Sequence, residues 1–68
     1  MSIKEMILKT GGIWKITYIN NYKIVIDLNN NSYDTFDFYN VYGVLENELT
    51  TEKFNQLFRN IKECKKIK

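Results

Sequence analysis

Carboxylates and one thiol are the main side chains in this sequence that could act as acids, bases or nucleophiles, because it contains no histidine. It therefore lacks the side chain that most often serves as a general base or metal ligand near neutral pH. Asp34 and Asp37 come closest to a catalytic pair, but their odd spacing along a strand points them to opposite faces. Asp34 is expected in water at a strand end. We predict no catalytic residues and no enzyme activity.

The single cysteine and the glycines add no further chemistry. Cys64 shares a predicted helical face with Phe54 and Ile61, which favours a small buried side chain over a reactive thiol. One cysteine forms no intrachain disulfide, the spacing of metal ligands is absent, and a reducing compartment fits best. The three glycines do not form a phosphate-binding loop. We expect no cofactor and no metal.

Charge is arranged in three blocks of alternating sign. Residues 1–23 carry a net charge of +3, residues 24–52 carry −6 and residues 53–68 carry +5, while the whole chain carries +2. The acidic block could dock into a basic groove of another protein. The basic block could contact phosphates with strong salt dependence. As a third interpretation, both blocks are solvated surface, and the last lysines complement a helix dipole.

Two helices are predicted from their capping signals. Ser2 and Glu5 have the spacing of a capping box, which predicts a helix over residues 3–10. Leu49 and Phe54 flank Thr50 as a hydrophobic staple flanks an N-cap. Apolar residues then recur at helical spacing, which predicts a long helix over residues 51–65. The structure of residues 40–49 is left open.

Three runs rich in β-branched and aromatic residues predict strands over residues 13–19, 23–28 and 33–39. Three-residue loops at 20–22 and 29–31 would keep the apolar residues of all three strands, including Phe36 and Phe38, on one face. The predicted fold is a single α+β domain over residues 1–68. It has a three-stranded antiparallel meander with a long C-terminal helix on one face and a short N-terminal helix, in the order α-β-β-β-α.

The second face of the predicted sheet mixes tyrosine, aliphatic and charged side chains, with Tyr39 on it and Tyr42 close by. Three interpretations stay open for this face. It binds another protein through tyrosine anchors, it stacks single-stranded bases, or the first helix or a second copy of the chain covers it. The last interpretation makes a homodimer a candidate assembly.

Location and source are inferred from composition. Lys4, Glu5 and Lys9 interrupt any signal-like apolar stretch, and no apolar run approaches the roughly 18 residues of a membrane span. We therefore expect a cytoplasmic protein with no membrane partner. The abundance of Asn, Ile and Lys, with no alanine or proline, indicates an A/T-rich genome such as that of a low-GC bacterium or of a phage or mobile element within one.

In size, composition and predicted element order the chain resembles small phage-encoded anti-CRISPR inhibitors. Some of these have a short helix, three antiparallel strands and a helix, with acidic residues that occupy the DNA-binding groove of a CRISPR nuclease. Here Glu46, Glu48 and Glu52 would form the analogous patch. The resemblance implies action in the host cytoplasm. Double-stranded RNA-binding domains share the order, but residues 50–53 lack their lysine-rich helix start.

Three hypotheses follow for function. The first is a phage or mobile-element inhibitor that binds a host defence protein and blocks it sterically. The second is a small nucleic-acid-binding or regulatory protein, and the third is an accessory subunit of a larger assembly. The residues expected to bind the protein partner are Asp34, Asp37, Tyr39, Tyr42, Glu46, Glu48 and Glu52. The residues expected to bind nucleic acid in the second hypothesis are Lys15, Arg59, Lys62, Lys65 and Lys66.

Overall fold

The computed structural model describes residues 2–68. Within these residues the chain forms three short helices and one five-stranded antiparallel sheet with the strand order β4-β3-β2-β1-β5. The elements are α1 (Ile3–Thr10), β1 (Ile13–Tyr18), β2 (Lys23–Asp27), β3 (Ser32–Thr35), α2 (Phe36–Tyr42), β4 (Asn47–Glu48), α3 (Thr51–Leu57) and β5 (Ile61–Lys66). The prediction of a three-stranded meander in α-β-β-β-α order, with a long C-terminal helix, is therefore wrong.

Helix α1 matches its prediction over residues 3–10. The Ser2 hydroxyl oxygen accepts a hydrogen bond from the Glu5 amide at 3.1 Å, which supplies a partner for one free N–H of the first turn. Gly11, at φ 69°, ends the helix. Ile7 is fully buried and anchors α1 on the sheet, and Lys4 donates a hydrogen bond to Asn55 of α3.

The first hairpin confirms the predicted side-chain alternation. Trp14 pairs with Ile26 and Ile16 with Ile24, so all four point to one face. The loop has three residues, as predicted, but covers residues 19–21 rather than 20–22. The Tyr18 amide donates to the Tyr22 carbonyl oxygen at 2.8 Å and closes this loop.

The second hairpin differs from its prediction by one residue. Asp27 pairs with Ser32 and Val25 with Asp34, which leaves a four-residue loop over residues 28–31. Because the register is shifted by one, Tyr33 points to the core face and Asp34 to the other face. The side chain of Asp27 explains the longer loop, since one of its carboxylate oxygens accepts from the amides of Asn29 and Asn30.

The third predicted strand ends at Thr35, and residues 36–42 form α2. Phe36 and Phe38 alternate as strand residues do, but the Thr35 hydroxyl oxygen accepts from the Phe38 amide at 3.1 Å and caps a helix. Gly43 ends this helix in the left-handed conformation, at φ 70° and ψ 12°. Helix α2 packs against β2 on the second face of the sheet, where Val25 is fully buried.

The predicted helix over 51–65 is correct only in its first half. Thr50 caps α3 as predicted, its hydroxyl oxygen accepting from the Lys53 amide at 3.1 Å. The helix ends at Leu57, and Asn60, at φ 57°, turns the chain into β5. Strand β5 then pairs with β1, which would otherwise be an unpaired edge of the sheet.

A β-bulge explains why strand β5 has the apolar spacing of a helix. Tyr18 pairs with Ile61 and the preceding Thr17 pairs with Glu63, so Lys62 is the extra residue. The bulge places Ile61 and Cys64, three residues apart, on the same face. That spacing is also typical of one turn of helix, so the local pattern did not distinguish the two structures.

The core lies between one sheet face and helices α1 and α3. Leu49 and Phe54, the predicted staple, are both buried there. Tyr33, Cys64 and other partly buried residues pack around the core. The buried apolar residues of this cluster are Ile7, Trp14, Ile16, Ile24, Ile26, Leu49 and Phe54.

Candidate functional site

The outer side of α2 and the turn after it form an apolar and aromatic surface, which we call the α2 surface. Val41 is 72 % exposed, Tyr42 65 % and Val44 50 %. Phe38 and Tyr42 are one helical turn apart, and the centres of their rings are separated by 4.6 Å. Asp37 is exposed one turn before Val41, which places a carboxylate beside the apolar side chains. The α2 surface consists of Asp37, Phe38, Val41, Tyr42 and Val44.

The inner side of α2 holds the helix against the sheet. The Lys15 ammonium lies 5.1 Å from the centre of the Phe36 ring, a cation–π contact across the sheet face. Tyr39 is half-buried and lines a cleft of about 390 Å³ with Ile13 and Lys68. Of the two tyrosines predicted for partner binding, only Tyr42 is on the exposed outer side.

Asp34 is buried and serves the fold, which corrects the expectation that it lies in water. Its carboxylate accepts hydrogen bonds from the Thr35 amide at 2.8 Å and from the Glu46 amide at 3.2 Å. The second bond joins the end of β3 to the segment that leads into β4. Asp34 therefore positions the α2 surface and Glu46 but is not available to a partner.

The three predicted glutamates are exposed near the β4 edge of the sheet. Glu46 lies just before β4. Glu48 lies in β4 and pairs with Ser32 of β3. Glu52 follows in the first turn of α3, where it complements the helix dipole. The ammonium of the next residue, Lys53, lies 5.4 Å from the centre of the Tyr33 ring.

Acidic and basic residues lie at opposite edges of the sheet. Strand β4 is one edge and β5 the other, and four interstrand spacings separate them by about 19 Å. Lys15 and Lys65 face each other directly across β1 and β5. Lys66 pairs with Trp14 farther along, and Arg59 and Lys62 lie at the opposite end of β5. The three glutamates and the basic residues of β5 are thus at separate edges, whereas Lys15 lies beside α2 through its contact with Phe36.

A second exposed cluster lies at the tip of the first hairpin and was not predicted. Ile19 is 66 % exposed and Tyr22 52 %, and both line a cleft of about 320 Å³ together with Arg59 and Asn60. The hairpin signal was present in the sequence, but β5 brings Arg59 and Asn60 beside the hairpin. That contact depends on a long-range strand pairing and has no local sequence signal.

Helix α1 also exposes apolar side chains, with Ile3 53 % and Leu8 56 % exposed. Leu8 lines a groove of about 290 Å³ between α1 and α3, whose floor includes Leu28 and Phe54. This groove is lined mainly by apolar groups and holds no aromatic side chain that is exposed. It therefore resembles the rim of the core more than a recognition site.

Two side chains near the core have shifted pKa values. Burial raises the pKa of Tyr18 to about 12, and the neighbouring Cys64 and Tyr22 contribute. Burial also raises the pKa of the Cys64 thiol, with a smaller effect from Glu63. A raised pKa keeps this thiol protonated near neutral pH, which disfavours its reaction as a nucleophile.

Among residues 2–68, no three Cys, Asp or Glu side chains are grouped so that they could hold a metal ion. None of the helices in the same span is long and apolar enough to cross a membrane.

No protein family, curated protein or solved structure compared with this chain is similar to it.

Proposed function

We propose that this chain is a binding protein without catalytic activity, which attaches to a basic surface of another protein and blocks it sterically. The α2 surface and the neighbouring carboxylates form the contact. The partner we propose is a host defence protein, such as a nuclease that binds nucleic acid in the surface that becomes blocked. A phage or mobile element would be the source of such an inhibitor.

The exposure of Val41, Tyr42 and Val44 is the observation that carries this proposal. Each of these neighbouring residues exposes half or more of its large apolar side chain. Exposure of so much apolar surface to water is unfavourable, and covering it with a partner lowers the free energy. Tyr42 packs on Phe38, so its ring is held in place before binding. Tyrosine is among the residues that most often anchor protein interfaces.

The charge beside the α2 surface supports a basic partner. Asp37 lies on α2 itself, and the Glu46 amide donates to the carboxylate of Asp34, two residues before α2 begins. Glu48 continues the acidic row along β4. These carboxylates would orient a basic surface and speed its association, with an effect that weakens as salt increases. The basic residues near α2 lie at its inner side, Lys15 against Phe36 and Lys68 in the cleft with Tyr39.

The test is capture of a partner by the immobilised chain from the lysate of a low-GC bacterium, followed by identification of the captured protein and assay of its activity. We expect Val41→Asp to reduce recovery of the partner about tenfold or more. The two methyl groups of Val41, which the partner would cover, are replaced by a charged carboxylate. The double variant Glu46→Lys with Glu48→Lys should also reduce recovery of the partner, and this reduction should be larger at low salt than at high salt. Excess soluble chain should inhibit the captured protein.

Lys9→Glu is the matched control, since it changes charge on α1, which packs on the other face of the sheet, and should leave recovery unchanged. A captured protein that is retained equally by Val41→Asp and by the wild-type chain would contradict the proposed surface. A captured protein whose activity is unaffected by excess chain would contradict the inhibitory function.

A further inference from the structure

We propose that the tip of the first hairpin, together with the start of β5, binds single-stranded nucleic acid. In this site the Tyr22 ring stacks on one base, while Arg59 and Lys62 contact phosphates. The site lies outside the α2 surface and does not depend on the function proposed for it.

Tyr22 has the surroundings of a stacking platform. One side of its ring is backed by Tyr18, with ring centres 6.2 Å apart and planes at 27°. Tyr18 is itself held by a hydrogen bond of 2.8 Å from its hydroxyl to the Leu57 carbonyl oxygen. Tyr22 remains 52 % exposed beside Ile19. A ring with a fixed backing and accessible area is suited to stack on an unpaired base of any type.

The bulge in β5 brings positive charge to this platform. Lys62 is the extra residue of the bulge, and its ammonium lies 3.4 Å from the Asn21 side-chain oxygen at the hairpin tip. Arg59 lines the same cleft as Tyr22 and Ile19. A guanidinium and an ammonium beside an exposed aromatic ring match the alternating phosphates and bases of one strand.

The surrounding charges indicate modest affinity with clear salt dependence. Lys23 and Asp37 line an adjoining cleft on the other side of Tyr22, and Glu63 lies next to Lys62 in the chain. The positive groups around the tip therefore outnumber the negative ones only slightly. The cleft volume of about 320 Å³ is small and suits one unpaired nucleotide at a time rather than a duplex.

The experiment is fluorescence anisotropy of labelled oligothymidylate, oligouridylate and a DNA duplex. Two phosphate contacts predict that affinity for a single strand falls about sevenfold between about 50 and 200 mM salt. Tyr22→Ala should weaken binding by about tenfold, whereas Tyr22→Phe should stay within about twofold because it keeps the ring. Lys62→Gln should weaken binding and lower the salt dependence by about one phosphate contact.

Tyr42→Ala is the matched control, because it removes another exposed tyrosine, from the α2 surface, and should leave oligonucleotide binding unchanged. The proposal is overturned if neither single strand binds at the lower salt concentration. It is also overturned if the duplex binds more tightly, or if Tyr22→Ala and Tyr42→Ala have the same effect. None of these outcomes bears on capture of a protein through the α2 surface, which is measured with other variants.

Discussion

The Tyr18 hydroxyl donates a hydrogen bond to the carbonyl oxygen of Leu57, the last residue of α3, over 2.8 Å. In a longer helix this carbonyl oxygen would accept from the amide of Ile61, four residues later. Here Ile61 instead pairs with Tyr18 in the sheet. The Tyr18 hydroxyl thus supplies a partner for a carbonyl at the end of α3, and the chain continues into β5.

Stability at high pH tests this role of Tyr18. Burial raises the pKa of Tyr18 to about 12 in the folded chain, against an ordinary tyrosine value of 10.0. Between these values the unfolded chain loses the Tyr18 proton first, so the free energy of unfolding should fall as pH rises from about 10 to 12. Below about pH 10 the full contribution is present. Urea unfolding at several pH values measures the slope.

Tyr18→Phe should lower stability by about 1 kcal/mol at neutral pH, because the hydrogen bond is lost. It should also have a weaker fall in stability above pH 10 than the wild-type chain. Tyr42→Phe, at an exposed position, is the control. Equal slopes for the wild-type chain and Tyr18→Phe would show that Tyr18 does not titrate differently in the two states.

Gly12→Ala tests the contact between the start of β1 and the end of the chain. Gly12 has φ 89°, and a Cβ atom at this position would clash with the Lys68 carbonyl oxygen. We expect a loss of about 2 kcal/mol or more, since both backbone strain and a clash with main chain oppose the methyl group. Thermal unfolding followed by circular dichroism measures the loss.

Gly43→Ala is its control. Gly43 has a similar φ of 70°, but no atom lies within 4 Å of the added Cβ. Only the cost of the left-handed conformation remains, about 1 kcal/mol. If both variants lost the same stability, the contact with Lys68 would contribute nothing.

Asp34→Asn tests the carboxylate that holds the segment before β4. The amide group presents a donor where one carboxylate oxygen accepts from the Glu46 or Thr35 amide. We expect a loss of about 1–3 kcal/mol, together with faster hydrogen exchange at one of these amides. Asp37→Asn, at an exposed position, should change stability by less than about 0.5 kcal/mol. Unchanged exchange rates in Asp34→Asn would contradict this structural role.

Deletion of Lys62 tests the bulge in β5. Without Lys62, Ile61 directly precedes Glu63. Ile61 can still pair with Tyr18 of β1, and Glu63 with Thr17. We expect the chain to remain folded, with the amide chemical shifts of β1 and β2 largely preserved. In a helix the same deletion would rotate Cys64 by about 100° away from the core face. An unfolded deletion variant would therefore contradict the bulged strand.

Local signals in the sequence determined the features that depend on residues close together in the chain. The hydroxyl groups of Ser2 and Thr50 each accept from an amide three residues later, and both helix starts were predicted correctly. The alternation of Trp14 and Ile16 determined which residues of the first hairpin face the core. The signals for α2 were also local, in Thr35 and Gly43, but the strand-like alternation of Phe36 and Phe38 outweighed them.

Only the tertiary structure decided the end of the chain. The spacing of Ile61 and Cys64 fits a helical turn and a bulged strand equally well. The choice depends on the free hydrogen-bonding edge of β1, which lies more than 40 residues earlier in the sequence. By pairing with that edge, β5 removes an unpaired strand from the sheet and places Arg59 and Lys62 beside Tyr22. Both the five-stranded fold and the hairpin site follow from this pairing between distant residues.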